Sequence, residues 1–188
     1  MTMTQHLDAV HRALDDLDLR AVERVGASLV DVLKRHGRVL VAGNGGSAAH
    51  AQHFSAELVG RYRDPDREPC SAIALHGDTS SLTAVANDFG WDDVYARQIR
   101  AHGRPGDVFL AISTSGASTN LLQAATVADR LGIAVLALTG PAPNRLADCA
   151  RAAVCVSAAA TPTVQEVHQV VVHMLCDSID RELGCGPR

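Results

Sequence analysis

The sequence predicts an α/β fold in which a parallel β-sheet is covered by helices on both faces. Five short runs of apolar residues alternate along the chain with segments of helical periodicity. Each run is almost continuously apolar, which is typical of strands buried on both faces of a parallel sheet. A chain of 188 residues is long enough for one domain with a single sizeable core.

Each element has its own signature in the sequence. Leucine and valine residues at helical spacing predict one long helix over residues 2–35. The predicted strands are RVLVAG (38–43), SAIAL (71–75), DVFLAIS (107–113), IAVLALTG (133–140) and AAVCVS (152–157). Further helices are predicted over 46–60, over 79–102 with a break near Gly90, over 118–131, near 143–149, and from about Thr163 to Leu183.

Composition and charge argue against several classes of function. The net charge is −4 and the chain has no basic cluster, so we expect no binding to nucleic acid. No apolar run reaches the roughly 18 residues of a membrane-spanning helix, so we expect no membrane span. The segment MTMTQHLDAVHRALDDLDLR lacks the basic end and apolar stretch of a secretion signal, which predicts a cytoplasmic protein.

Cysteine and lysine usage narrows the chemistry further. The five cysteines are odd in number and show no CxxC spacing, which argues against a disulfide framework and against a thiolate zinc site. We interpret them as small apolar residues. Lys34 is the only lysine, so a P-loop is excluded and Schiff-base chemistry would depend on that one side chain.

Two segments end a predicted strand and begin a helix with small polar residues, NGGS (44–47) and STSGAS (113–118). Ligands of open α/β sheets gather beyond the carboxyl ends of the strands, and helix starts attract anions. The second segment has more hydroxyl groups than a helix cap needs, which favours phosphate binding over an ordinary turn. No GxGxxG motif is present, so a dinucleotide site is disfavoured.

Histidine and carboxylate residues suited to proton transfer occur in two places. His53 and Glu57 are four residues apart and project from one helix face, where they could bind a metal, transfer protons or form a surface pair. His173 interrupts the apolar run VVVHML, so it needs either a structural hydrogen bond or a role in a site. We interpret His50, one turn before His53, as solvated.

Four blocks, which follow one another in the order of the family, together resemble the phosphoheptose isomerases, a branch of the sugar isomerase (SIS) domain proteins. The resemblance spans about residues 35–180. The blocks are GNGGSAAHAQHFSAELVGRY (43–62), LTAVANDFGWDDVYARQI (82–99), GDVFLAISTSGAS (106–118) and VQEVHQVVVHML (164–175).

The resemblance implies a fold, an assembly and a reaction. The fold is a three-layer α/β sandwich with a five-stranded parallel sheet, forming a single SIS domain over residues 1–188. The assembly is a homotetramer with sites between subunits, to whose packing the helix over 2–35 contributes. The family converts D-sedoheptulose 7-phosphate into D-glycero-D-manno-heptose 7-phosphate.

Matching positions in the resemblance assign roles to individual residues. Glu57 and His173 match the acid–base pair. One zinc ion per subunit is implied, with ligands matching His53, Glu57, Gln165 and His173. Substrate-binding positions match Asn44, Gly45, Gly46, Glu57, Asn87, Asp88, Ser113, Thr114, Ser115, Ser118 and Gln165. Within that set, the four serine and threonine residues match those that grip the phosphate.

These residue types suit the reaction. Ketose–aldose isomerisation moves a proton between adjacent carbons through an enediol and needs a carboxylate or imidazole on each flank. A cation near the two oxygens would stabilise the developing charge. Gln165 and His173 are separated by about 12 Å along a regular helix. One metal therefore needs the two side chains to lean together, an irregular helix start at Gln165, or ligands from two subunits.

A second branch of the same fold offers an alternative function. Its members, the initiator-associating factors, bind the bacterial replication initiator protein, and LTAVANDFGWDDVYARQIRAHG (82–103) and MLCDSID (174–180) have some of their character. That branch lacks the residues matching Glu57 and His173, so their presence favours the enzyme. The chain also departs from the isomerases at Pro162 and Thr163, where a charged segment is common, and at His50, which replaces a common aspartate.

Overall fold

Five parallel strands form one sheet in the computed structural model, which describes residues 2–184. The order of the strands across the sheet is β2-β1-β3-β4-β5. The strands are β1 (Val39–Gly43), β2 (Ala72–Ala74), β3 (Val108–Ser113), β4 (Ala134–Thr139) and β5 (Ala152–Cys155). All five predicted strands are therefore confirmed, as is the parallel α/β class.

Helices connect the strands as the periodicity predicts. The amino-terminal helices are α1 (Met3–Asp15) and α2 (Leu19–Lys34). The helices within the sheet connections are α3 (Gly46–Val59), α4 (Thr79–Phe89), α5 (Val94–His102), α6 (Thr119–Arg130) and α7 (Arg145–Cys149). The chain then forms α8 (Thr161–Leu183). The predicted break near Gly90 is confirmed, since Gly90 ends α4 and a short 3₁₀ turn over Trp91–Asp93 precedes α5.

The helix predicted over residues 2–35 differs in one respect, because the structure divides it into α1 and α2. The Asp18 carboxylate accepts a hydrogen bond from the Ala21 backbone N–H at 3.1 Å and so caps a new helix start. The leucine and valine spacing continues through the turn, so hydrophobic periodicity alone did not reveal the break. Both helices pack against α8.

Apolar residues fill both faces of the sheet. Val39 and Val41 belong to a core cluster with α2, α3 and α8, whereas Leu40 and Ala42 belong to a second cluster with α5 and α6. Successive residues of a strand point to opposite faces, so each strand contributes to both clusters. This three-layer arrangement explains why the strand sequences are apolar without alternation.

The central pair of strands brings two turns to one edge of the sheet. β1 and β3 are neighbours in register, with Gly43 beside Ile112. The segments that follow them, residues 44–47 and 113–118, therefore leave the sheet side by side at its carboxyl edge. This edge is where the sequence places the ligand site.

Two predictions from composition can be compared with the described residues. No helix within residues 2–184 is both long and apolar enough to cross a membrane. Cys70, Cys149, Cys155 and Cys176 are free thiols; Cys176 is buried, as expected of a small apolar residue, whereas Cys70 and Cys155 are half-buried and Cys149 is exposed. Cys185 lies outside the described residues.

Candidate active site

The turn after β1 is held against the first turn of α6. Asn44 and Asn120 exchange two amide hydrogen bonds of 3.0 and 2.9 Å. The buried Tyr95 hydroxyl donates to the Gly43 carbonyl at 2.5 Å, and burial raises the pKa of Tyr95 to about 12, so this donor stays protonated. Gly45, with a φ of 55°, directly precedes α3. The glycine turn thus has a fixed position beside the serine-rich turn.

Three serine hydroxyls cluster between β3 and α6. The Ser113 Oγ lies 3.1 Å from the Ser118 Oγ and 3.4 Å from the Ser115 Oγ. Ser118 precedes the first residue of α6, but its side chain makes no capping hydrogen bond. Thr114 is half-buried in the same turn. Hydroxyl groups gathered at a helix start and not needed for capping are well suited to bind a phosphate.

The loop before α7 supports this turn from outside. Gly116 has a φ of 59°, and an ideal Cβ there would lie 2.0 Å from the Asn144 Oδ1. The same Oδ1 accepts from the Ala147 backbone N–H at 2.9 Å, and the Gly116 carbonyl accepts from the Leu146 N–H at 2.9 Å. Only glycine suits Gly116, because both its φ and the close approach of Asn144 exclude a side chain.

Glu57, His53 and His173 form a row of side chains between α3 and α8, here called the histidine row. The Glu57 Oε1 lies 3.6 Å from the His53 Nδ1, and the His53 Nε2 lies 3.0 Å from the His173 Nε2. Tyr62 stacks on the His173 ring with a centroid separation of 5.6 Å. The Glu57 and His53 side chains are 21% and 38% exposed, so a substrate can reach them. Such a row can take up, transfer and release protons.

Gln165, Gln169 and His173 lie at four-residue intervals on one face of α8. The Gln169 Nε2 lies 3.1 Å from the His173 Nε2. The Gln165 amide lies against the glycine turn, where an ideal Cβ on Gly46 would be 2.4 Å from the Gln165 Nε2. Since α8 begins at Thr161, Gln165 is not at an irregular helix start. Gln169 occupies the turn between Gln165 and His173.

The two histidines of the row fit a zinc ion. Two imidazole nitrogens bound to one tetrahedral zinc lie roughly 3.3 Å apart, and the His53 and His173 Nε2 atoms are 3.0 Å apart. Glu57 faces the His53 Nδ1, a place from which carboxylates orient ligating imidazoles. Within residues 2–184, no group of three or more His, Cys, Asp or Glu side chains is arranged to hold a metal ion.

Asn87 and Asp88, which match sugar-binding positions, lie in the last turn of α4. Both are exposed, and the Asn87 Nδ2 donates to the Asp88 Oδ1 at 2.8 Å. The hydrogen bond described for this pair joins the two residues to each other and not to the serine turn or the histidine row. The contacts described within residues 2–184 join Glu57, His53 and His173 to one another, the serines to one another, and Gln165 to the glycine turn, but none of them includes Asn87 or Asp88 with these groups.

Two further histidines lie near the site but face inward. His50, expected to be solvated, is half-buried, and its Nδ1 has no hydrogen-bond partner within residues 2–184. Burial, followed by the proximity of His53, lowers the pKa of His50. His168 is fully buried, donates from Nε2 to the Thr139 carbonyl at 3.0 Å, and has a pKa lowered by burial to about 4. Both imidazoles are therefore neutral at physiological pH.

Several residues of the site were not found from the sequence. Gln169 could have been found, because it completes a four-residue series with Gln165 and His173. The others carried no comparable signal, since their partners are distant in the chain. The residues missed are Tyr62, Tyr95, Asn120 and Gln169.

The two largest of the cavities described within residues 2–184 lie away from these groups. One of about 490 Å³ is lined by Arg38, Arg104 and Asp107 among others, near the amino ends of the strands. Another of about 470 Å³ is lined by Arg100 and Arg130 among others. Neither combines an acid–base pair with a hydroxyl cluster, so the chemistry of the side chains locates the candidate site better than cavity size does.

Known proteins share both the sequence and this arrangement of elements. The sequence model of the SIS domain matches residues 4–140. A phosphoheptose isomerase from Streptomyces coelicolor is 57% identical over 183 residues, which cover 96% of this chain and 79% of that protein. This chain belongs to the phosphoheptose isomerase family of SIS-domain proteins. It is accordingly an isomerase, and the family match favours the enzyme over the initiator-associating factors considered above.

Solved structures of the phosphoheptose isomerase family have the same fold. The phosphoheptose isomerase from Francisella tularensis is 35% identical, with a TM-score of 0.87 over 95% of this chain and 94% of that one. The enzyme from Neisseria gonorrhoeae is 37% identical, with a TM-score of 0.85 over 94% of both chains. The three-layer SIS fold implied by the sequence resemblance is thereby confirmed.

Proposed function

We propose that this isomerase converts D-sedoheptulose 7-phosphate into D-glycero-D-manno-heptose 7-phosphate. The observation that carries the proposal is the meeting of His173 on α8 with His53 and Glu57 on α3, two helices that both begin at the sheet edge holding the serine cluster. The names of the relatives point to the same substrate class. A sugar phosphate needs both an anion site and a proton-transfer site, and the chain has candidates for both.

The serine turn would bind the phosphate and so hold the other end of the sugar near the histidine row. Asn44 and Asn120 link the turn to the start of α3, and Gly46 leaves room for the Gln165 amide. From Gln165 to His173 the helix rises about 12 Å, a length that an open-chain seven-carbon sugar phosphate can span. Binding energy from the phosphate would thereby orient the reacting carbons.

Proton transfer then needs one group on each flank of the reacting carbons. One member of the Glu57–His173 pair removes a proton from C1 of the open-chain ketose, which gives an enediol as O2 becomes protonated. A proton then returns to C2 while the O1 hydroxyl loses its proton and becomes the aldehyde oxygen. His53 lies between Glu57 and His173, 3.6 Å from the Glu57 Oε1 and 3.0 Å from the His173 Nε2.

We also propose one zinc ion per subunit, held by His53 and His173, with Glu57 beside the His53 Nδ1. Gln165, which also matches a ligand, lies about 12 Å along α8 from His173, so its ligation would come from a neighbouring subunit. A bound zinc ion would supply positive charge beside the oxygens of the enediol. Metal analysis of protein purified without added metal should find about one zinc per chain, and chelation should lower turnover. Absence of zinc together with unchanged activity after chelation would contradict this role.

We further propose that the chain forms a homotetramer in which a neighbouring copy completes the site. Every residue of α4 is at least partly exposed in the single chain. Phe89 and Trp91 are 50% and 52% exposed although both side chains are large and apolar. Asn87 and Asp88 lie on the same helix, so burial of this region against another copy would bring sugar-binding candidates into an interface.

Incubation of the protein with D-sedoheptulose 7-phosphate, followed by NMR, tests the proposed reaction. We expect a new aldose signal that grows with time and with enzyme concentration, and no such signal with free sedoheptulose. Parallel capture with purified replication initiator protein tests the alternative. Binding of the initiator without any aldose would replace the isomerase proposal by the binding-factor function.

A further inference from the structure

The loop after α3 contains a buried arginine. The sequence RDPDREP (63–69) is charged and rich in proline, which is typical of a polar surface loop. Arg67 is nevertheless only 4% exposed, and its side chain is 1% exposed. Arginine is rarely buried to this degree unless its charge and its donors are paired. The partners of Arg67 therefore indicate what the loop does.

The guanidinium of Arg67 binds the last carbonyl groups of α3. Its Nη2 donates to the Glu57 carbonyl at 2.8 Å, and its Nη1 donates to the Leu58 carbonyl at 3.2 Å. Carbonyls at the end of a helix lack partners within the helix and carry partial negative charge, so a cation stabilises them. Arg67 thus holds the backbone of the residue that bears the proposed catalytic carboxylate.

The same guanidinium is tied to α8 through Asp180. The Arg67 Nε donates to the Asp180 Oδ1 at 2.7 Å. The other oxygen, Oδ2, accepts from the backbone N–H groups of Arg63 and Asp64 at 2.8 and 2.9 Å. Burial would raise the pKa of Asp180, but these hydrogen bonds and the Arg67 charge lower it, so the carboxylate stays ionised.

We propose that Arg67 and Asp180 form a positioning pair that sets the place of Glu57 relative to His173. The inference rests on the proposed isomerase function. α3 carries Glu57 and His53, and α8 carries His173 two turns before Asp180. The pair joins the two helices, because Arg67 bonds the Glu57 carbonyl on α3 and the Asp180 carboxylate on α8. Tyr62, in the loop that the pair anchors, stacks on His173. One anchored loop therefore contacts both proposed catalytic residues, through the Glu57 carbonyl and the His173 ring.

Replacement of Arg67 by methionine tests the inference through kcat. Misplacement by about 1 Å can cost a hundredfold in rate, so we expect Arg67→Met to lower kcat at least tenfold. KM should change less than about twofold, because the serine turn is not involved. Asp180→Asn, which keeps the shape of the side chain, should also lower kcat. This second variant tests the same pair if Arg67→Met does not fold.

Asp107→Asn is a matched structural control. Asp107 is also a buried carboxylate that accepts two backbone N–H groups, those of Arg38 and Arg104, at 2.8 and 2.9 Å. It directly precedes β3 at the amino edge of the sheet, and the hydrogen bonds of its carboxylate join neither α3 nor α8. We expect Asp107→Asn to lower the melting temperature about as much as Asp180→Asn does, while its kcat stays within about twofold of wild type.

Arg67→Lys separates positioning from simple stabilisation. Lysine keeps the charge near Asp180 but lacks the planar fork that reaches Asp180 and the helix carbonyls together. Relative to Arg67→Met, we expect Arg67→Lys to recover a larger fraction of the lost stability than of the lost kcat. Full recovery of kcat in step with stability would show that Arg67 acts only through folding.

Hydrogen exchange at residues 57–60 provides a readout that does not depend on turnover. The Gly60 N–H donates to the Ala56 carbonyl at 2.8 Å, and Arg67→Met should speed exchange in this last turn of α3. Unchanged exchange, or wild-type kcat in folded Arg67→Met, overturns the positioning role. Absence of turnover in the wild-type protein itself overturns the proposed function first.

Discussion

Gly46 shows how a single missing atom shapes the candidate site. An ideal Cβ at this position would lie 2.4 Å from the Gln165 Nε2, so glycine lets the amide approach the turn. The clash would involve the flexible end of a side chain rather than the backbone. A side chain at position 46 is therefore compatible with the fold but must displace the Gln165 amide.

Gly46→Ala should lower turnover while leaving the melting temperature within a few degrees of wild type. Displacement of the Gln165 amide removes a group from the site, whereas the helix itself tolerates alanine. Steady-state kinetics and thermal unfolding measure the two effects. In a Gln165→Ala background the same change should add little, and full additivity of the two losses would contradict the coupling.

His168 makes the stability of the protein depend on pH. Burial lowers its folded-state pKa to about 4, below the unfolded value of 6.5, so the unfolded chain binds the proton more readily. Stability should thus fall as the pH drops from 6.5 toward 4, by up to about 3 kcal/mol. Urea unfolding at pH 7.5 and at pH 5 should show a smaller difference for His168→Gln than for wild type. Equal differences would argue against this assignment.

At the scale of elements, the strands were predictable and the contacts between distant helices were not. Continuous apolar runs such as VFLAI (108–112) identify buried strands because both faces of the sheet are covered. The break at Asp18 was hidden by the hydrophobic spacing that continues through it. Arg67 was hidden because a charged loop normally lies in solvent, and only the fold reveals its buried partners.

Ser118 tests whether the start of α6 is built for a ligand. Its hydroxyl bonds the Ser113 Oγ at 3.1 Å and does not cap the helix. Ser118→Ala should therefore cost little stability but raise KM for the sugar phosphate about tenfold, as expected for loss of one hydrogen bond to a charged group. Kinetics as a function of substrate concentration measure the change.

Asp18→Ala is the matched control for Ser118→Ala, because it removes a helix cap and no proposed substrate contact. Asp18 does cap α2, so its loss should cost about 1 kcal/mol of stability and leave KM unchanged. A loss of stability in Ser118→Ala as large as in Asp18→Ala, without a rise in KM, would mean that Ser118 is a structural residue only.

At the scale of the whole molecule, the resemblance in sequence identified residues that spacing alone could not join. His53 and His173 are 120 positions apart, yet their Nε2 atoms lie 3.0 Å apart. Asn87 and Asp88 match the same family site, but the hydrogen bond described for them joins only the two residues to each other. The fold explains the first result, because α3 and α8 pack on one face of the sheet. The proposed homotetramer would bring Asn87 and Asp88 into an interface with a neighbouring copy.

The oligomeric state is measurable directly. Light scattering coupled to gel filtration should give a mass about four times the 19.8 kDa of one chain. Trp91→Asp should shift the protein toward smaller species, because it places a charge on the exposed apolar region around α4. A monomeric wild-type protein with full turnover would contradict the shared site.

The most direct test of proton transfer through the histidine row is the kcat of Glu57→Gln on D-sedoheptulose 7-phosphate. Glutamine keeps the size of the side chain and removes its ability to take up a proton at neutral pH, so we expect kcat to fall at least a hundredfold in a protein that melts and assembles like wild type. A Glu57→Gln enzyme that makes the aldose at the wild-type rate would show that the row does not perform the reaction.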